Sequence, residues 1–118
     1  MKRILIVEDN ITFRQTFKTA LCKRFPFAVV EDAADGTEAL EKVNNFQPDI
    51  IFMDIRLPGE SGLGLTEKIR AEYPDMIIII LTDYDLPEYR EAALHGGADE
   101  FISKGVLNIS EIAKWIKI

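Results

Sequence analysis

Apolar runs and amphipathic runs alternate along the chain, and the alternation predicts five strand–helix units. RILIVE (3–8) reads as a buried strand. In the following NITFRQTFKTALCKRF, Phe13, Phe17, Ala20 and Leu21 recur at helical spacing. FAVVEDA (27–33) predicts a second strand, and DGTEALEKVNNF a helix with an Asp35-x-x-Glu38 capping box and a stripe of Ala39, Leu40 and Val43. DIIFMD (49–54) is the third strand. SGLGLTEKIRAEY then sets Leu65, Ile69 and Tyr73 on one helical face, and Pro74 closes that helix. MIIIIL (76–81) is apolar throughout, as the centre of a parallel sheet covered on both faces has to be. A fourth helix is predicted from an Asp85-x-x-Glu88 box to Gly96-Gly97, with His95 at its end favourably placed for the helix dipole. EFISK (100–104) is a short fifth strand. NISEIAKWIKI opens on an Asn108-x-x-Glu111 box and carries Ile109, Ile112, Ala113 and Ile116 on one face, with Trp115 chiefly core. The predicted fold is α/β, a doubly wound (βα)5 three-layer sandwich around a parallel five-stranded sheet.

Composition bounds this picture without altering it. The 118 residues suit one domain, 47% of them hydrophobic and 29% charged. The net charge of −6 argues against direct nucleic-acid binding by this domain. One cysteine, Cys22, excludes an internal disulfide, and its apolar neighbours predict a buried thiol. The apolar run near the start stops at two acids, too short for a secretory signal, and no stretch is long enough to span a membrane. The cytoplasm is the expected location.

Chemistry concentrates where the strands end. In open parallel sheets the ligand site lies beyond the C-terminal ends of the strands, near the switch in strand order. Those ends carry Glu8-Asp9, Asp54, Thr82-Asp83 and Ser103-Lys104. With strand order 2-1-3-4-5, they converge on one crevice. Asp54 raises the sharpest question, because Ile50 to Met53 deliver a carboxylate directly from a buried run, and a buried charge needs partners. Three close carboxylates repel one another, and a hard divalent cation relieves this. Asp54 then suits the role of nucleophile, with Lys104, the Thr82 hydroxyl and backbone N–H groups of the 55–58 loop placed to stabilise the charge of a transferring phosphoryl group.

On ILIVEDN, PDIIFMDIRLPGESG, ILTDY and GADEFISK, the chain resembles the receiver domain of two-component response regulators along its whole length, 1–118. That resemblance implies a flavodoxin-like fold and a signalling module rather than an enzyme, catalysing only its own phosphorylation and dephosphorylation. It implies Asp54 as phospho-acceptor, and Asp9, Asp54 and the Arg56 backbone carbonyl as Mg²⁺ ligands, with Glu8 holding metal-bound water. Thr82 is implied as the switch hydroxyl, Phe101 as the coupled aromatic and Lys104 as the phosphoryl contact. Tyr84 either shields the site or covers core.

The implied partners are a sensor histidine kinase or phosphotransfer protein and an output, which is either a DNA-binding domain for transcription regulation beyond Ile118 or a separate partner of a chain that acts alone. A phosphorylation-linked homodimer is a further option. The face formed by the fourth helix, fifth strand and fifth helix would select the partner. Two positions depart from the family pattern. Asp83 stands where a small residue is usual, and Gly105 follows Lys104 where proline is usual. Asp83 motivates an alternative, a receiver-like docking module independent of phosphorylation. A phosphohydrolase of the haloacid-dehalogenase type is disfavoured, since its second Asp is here Arg56.

Overall fold

A computed structural model describes residues 2–116. Five parallel strands, β1 (Arg3–Val7), β2 (Val29–Ala33), β3 (Ile50–Met53), β4 (Ile77–Thr82) and β5 (Glu100–Ser103), form one sheet in the order β2-β1-β3-β4-β5. The helices between and after them are α1 (Ile11–Arg24), α2 (Gly36–Phe46), α3 (Gly62–Glu72), α4 (Pro87–His95) and α5 (Ile109–Ile116). Successive strand side chains point to opposite faces. Leu5, Val7, Ile51, Met53, Ile78 and Ile80 therefore pack with Ala39, Val43, Leu65, Ile69 and Ala93 from α2, α3 and α4. Ile4, Ile6, Ile50, Phe52, Ile79 and Leu81 pack with Phe17, Leu21, Ile112, Ala113 and Ile116 from α1 and α5. Both faces are covered, which is why the inner strands β1, β3 and β4 carry no polar alternation.

The helix starts follow local hydrogen bonding. Asn10 Oδ1 accepts from the Phe13 N–H at 3.0 Å, Asp35 Oδ1 from the Glu38 N–H at 2.8 Å, and Asn108 Oδ1 from the Ser110 N–H at 2.8 Å. Glu38 reaches back one residue beyond the cap and accepts from the Ala34 N–H at 2.8 Å. The expected Asp85 box does not form. Leu86 is the N-cap residue and, having no side-chain acceptor, makes no cap bond, while Pro87 takes the first helical position of α4, where no N–H is needed. Cys22 also differs from expectation and is exposed. Phe17 and Leu21 define the buried stripe of α1, and a residue one step past Leu21 is rotated about 100° toward solvent. β2 begins at Val29, two residues later than predicted. Gly105 lies in a single 3₁₀ turn, Lys104–Val106. The ends of the predicted 1–118 domain, and the last two residues of the predicted fifth helix, fall outside the described residues.

Between β3 and α3 the chain makes a small structure that periodicity does not predict. Arg56–Leu57 pairs antiparallel with Glu60–Ser61 across Pro58-Gly59. Gly59 has φ 79°, the left-handed angle that the second central residue of such a turn requires. Gly62 meets a different demand. A Cβ there would fall 1.8 Å from the Asp54 carbonyl oxygen, and the Gly62 N–H donates to Ile55 O at 2.7 Å. The start of α3 is thus pressed against the backbone that carries Asp54. We expect Gly62→Ala to lower the unfolding free energy by about 2–3 kcal/mol, as overpacking does. Gly64→Ala, whose Cβ meets only the Glu60 carboxylate at 4.0 Å, should be neutral or stabilise by about 0.5–1 kcal/mol, both read from urea unfolding.

Candidate functional site

β1 and β3 stop side by side, with Val7 level with Met53. The residues that follow, Glu8 and Asp54, keep ladder bonds at their backbones: Glu8 N–H donates to Ala33 O at 2.9 Å and Asp54 N–H to Val7 O at 3.0 Å. Their side chains are therefore fixed by the sheet. Glu8 is 2% and Asp54 6% exposed, and with the exposed Asp9 they bring carboxylate oxygens within 4.8 Å of one another. Lys104, just past β5, reaches across to this cluster. Its Nζ lies 2.5 Å from Glu8 Oε1 and 3.1 Å from Asp54 Oδ2.

Each carboxylate has further donors. Glu8 Oε2 accepts from the Asn10 N–H at 2.9 Å, and Asp54 Oδ1 from the Ile55 N–H at 2.7 Å. Arg14 fixes the Glu8 carbonyl at 2.7 Å while its Nε binds Asp32 at 2.9 Å. Burial pushes the Glu8 carboxyl above the usual carboxylate range. The Lys104 hydrogen bond opposes that push, and the Asp54 charge adds to it. For Lys104, burial alone lowers the pKa, but the Glu8 hydrogen bond and the Asp54 charge outweigh it and raise the ammonium above its usual value. Charge is thus concentrated here with one cation among three acids. An all-oxygen donor set with this excess of negative charge fits a hard divalent cation.

The other expected site residues divide. Thr82 ends β4, fully buried, and its Oγ1 accepts from the Tyr84 N–H at 3.2 Å. Phe101 is 2% exposed and already packed inward against the α3/α4 side of the core, with the Arg90 guanidinium 4.8 Å above its ring. Tyr84 is not core. It stands at the surface with Arg56 4.2 Å over its ring and Tyr89 edge-on at 6.5 Å. Asp83 does not cover Asp54. Its side chain is 73% exposed, and Oδ2 lies 4.0 Å from Lys104 Nζ. Sequence reasoning missed Arg14, whose role depends on a carbonyl and on an acid of β2, and Phe13, whose ring lies 4.4 Å from Lys104 Nζ. Helical spacing marked Phe13 only as a core position. A surface cavity of about 480 Å³, lined by Lys2, Asp49, Glu72, Asp75 and Met76 among others, lies at the opposite end of the strands.

Removing the cation tests this balance. Lys104→Met leaves Glu8 and Asp54 facing each other without it. We expect a loss of about 2–3 kcal/mol in metal-free urea unfolding, below the roughly 3–5 kcal/mol of an enclosed pair because Asp54 borders an open crevice. Added divalent cation should restore more stability to the variant than it adds to the wild type.

Comparison with known proteins gives a consistent result. The family model described as the response regulator receiver domain matches residues 4–117. The oxygen regulatory protein NreC of Staphylococcus carnosus is 44% identical over 103 residues, covering 86% of this chain and 48% of that protein. The chain therefore spans about half the length of the curated relatives it matches. Among solved structures, a CheY-like response regulator receiver domain protein of Methanospirillum hungatei superposes with TM-score 0.88 at 35% identity, covering 99% of this chain and 91% of its own. The response regulator protein TrrA of Thermotoga maritima, solved in complex with Mg(2+)-BeF, does so with TM-score 0.86 at 35% identity, covering 99% and 97%.

Proposed function

This chain belongs to the receiver-domain family of response regulators, and on that premise we propose that it is a phosphorylation-activated switch whose acceptor is Asp54. The observation that carries the assignment is the Asp54 carboxylate itself. It is delivered rigidly from β3, clustered with Glu8 and Asp9, and touched by Lys104 at 3.1 Å. In the proposed step an Asp54 carboxylate oxygen attacks the phosphorus of a phosphohistidine on a sensor kinase or phosphotransfer protein. The P–O bond forms, the P–N bond breaks, and the imidazole departs and takes up a proton. Lys104 faces the arriving phosphoryl oxygens, and the Thr82 hydroxyl, at the neighbouring strand end, donates to them once freed from Tyr84.

Mg²⁺ is the metal the donor set suits. Asp9, Asp54 and the Arg56 carbonyl would hold it, with Glu8 holding its water, and when bound it supplies positive charge against the acid cluster and the phosphoryl oxygens. The acyl phosphate carries about two negative charges where the Asp54 carboxylate carried one, and it brings new acceptor oxygens to a site connected to α4 through Thr82 and Tyr84. The resulting population shift changes the face of α4, β5 and α5 that meets the output. The exposed apolar side chains Leu86, Leu94 and Val106 lie on or beside α4 and β5 and are available to that contact. In the whole protein the output is a DNA-binding domain beyond this chain, acting in the cytoplasm. No described helix is long and apolar enough to cross a membrane. Nothing favours the phosphorylation-independent docking reading, because Asp83 stands out in solvent beside Lys104 and leaves Asp54 uncovered.

The chain incubated with Mg²⁺ and acetyl phosphate should gain the mass of one phosphoryl group, and Asp54→Ala should gain none. Adduct on Asp54→Ala, or its absence from the wild type, overturns the assignment. With Mg²⁺ and beryllofluoride, the NMR resonances of Thr82 and Tyr84 should move together. Thr82→Ala should still accept a phosphoryl group but leave the Tyr84 resonances in place.

A further inference from the structure

The sequence places Phe13 on the core-facing stripe of α1, but the structure puts its ring at the site. The ring is fixed from one side by aromatic contacts. It stacks on Phe17 at 5.7 Å between centroids, and Phe17 meets Phe52 edge-on at 5.1 Å. Phe52 is buried in β3, two residues before Asp54, so the two share one side of the chain. The ring is thereby tied to the strand that delivers Asp54. On its other side stands Lys104 Nζ, 4.4 Å from the centroid, well inside the roughly 6 Å over which a ring face attracts a cation. Glu8 and Asp54 both draw this ammonium toward carboxylate oxygens. Phe13 attracts it without offering a competing charge.

We infer that Phe13 is a positioning residue for Lys104, its ring holding the ammonium beside Asp54 where negative charge arrives during phosphoryl transfer. The inference rests on the proposed acceptance of a phosphoryl group by Asp54. A cation already in place needs no reorganisation in the transition state. Lysine has a long, flexible stem, and without the ring only the two carboxylates hold its ammonium, on a stem free to sample the open crevice. Phe13 touches no reacting atom, so its effect passes through Lys104 alone.

Phe13→Leu removes the ring and keeps an apolar side chain, while Phe13→Tyr keeps the ring. The wild type and both variants are treated with Mg²⁺ and acetyl phosphate, and the initial rate of adduct formation is followed by intact mass. Alongside it, the ε-methylene proton shift of Lys104 is read by NMR and the unfolding midpoint in urea. Phe13→Leu should react roughly fivefold more slowly, the change that about 1 kcal/mol of cation–π attraction gives. It should also lose the upfield ring-current shift at Lys104. Phe13→Tyr should keep both the rate and the shift. Equal rates in all three proteins overturn the inference while leaving Asp54 as acceptor. A Phe13→Tyr rate as slow as that of Phe13→Leu overturns it too, because stability rather than the ring is then what changed. Absence of adduct from the wild type removes the acceptor assignment and this inference with it.

Discussion

Lys104 is the group on which the strand-end site depends. Its ammonium touches Glu8 at 2.5 Å and Asp54 at 3.1 Å, and both acids are almost wholly removed from water. The inner strands β1, β3 and β4, covered on both faces, have nowhere to place charge except at their ends. Where β1 and β3 end together, two carboxylates are forced into one crevice, and their repulsion has to be met by a cation from elsewhere. β5 supplies it from two strands away. The site is therefore a property of the strand order, since a different order would separate Lys104 from the acids it neutralises.

Rigidity at this edge comes from backbone as much as from charge. Glu8 and Asp54 extend their ladders by one bond each, Arg14 clamps the Glu8 carbonyl, and Gly62 allows α3 to start directly on the Asp54 carbonyl. Pro58 and Gly59 then turn the chain away in a two-residue ribbon that leaves the crevice open. The donors that hold Asp54 and Glu8 at one oxygen each, Ile55 N–H and Asn10 N–H, are both main-chain groups. Main-chain donors of this kind fix the direction in which the two carboxylates point.

The sequence made the sheet legible because buried parallel strands are short unbroken apolar runs, and 50–53 and 77–81 could be nothing else. It made the acids, Thr82 and Lys104 legible because each stands at a strand end and strand order gathers them. What it hid depends on direction and distance in three dimensions. Cys22 and Leu21 are adjacent in the chain but face solvent and core respectively. Phe13 carries the same helical signal as Phe17, and only the approach of Lys104 from the other end of the chain distinguishes them. Gly62 reads as a helix-start residue until the Asp54 carbonyl is seen against it. At 85–88 the capping pattern misled because Pro87 takes the first helical position, which starts α4 one residue later than a cap at Asp85 would.

The same contacts explain how charge at Asp54 can be felt at α4. Thr82 is not free: its hydroxyl accepts from the Tyr84 N–H, and the Tyr84 ring lies under Arg56 and against Tyr89 of α4. A Thr82 hydroxyl turned toward Asp54 gives up the Tyr84 bond, and the ring cannot move without disturbing Arg56 on one side and α4 on the other. Phe101 sits inward at the same time as Thr82 keeps its bond to Tyr84, so inward packing of the aromatic does not by itself distinguish two states of this domain. Arg90 ties Phe101 to α4 by stacking on its ring and lying 3.4 Å from its carbonyl. On the proposed function, the element that would rearrange is the loop from Thr82 to Leu86, exposed from Asp83 onward and held at its start by one hydrogen bond of 3.2 Å. A contact that weak is within reach of a new phosphoryl charge, whereas the buried ladders on either side are not.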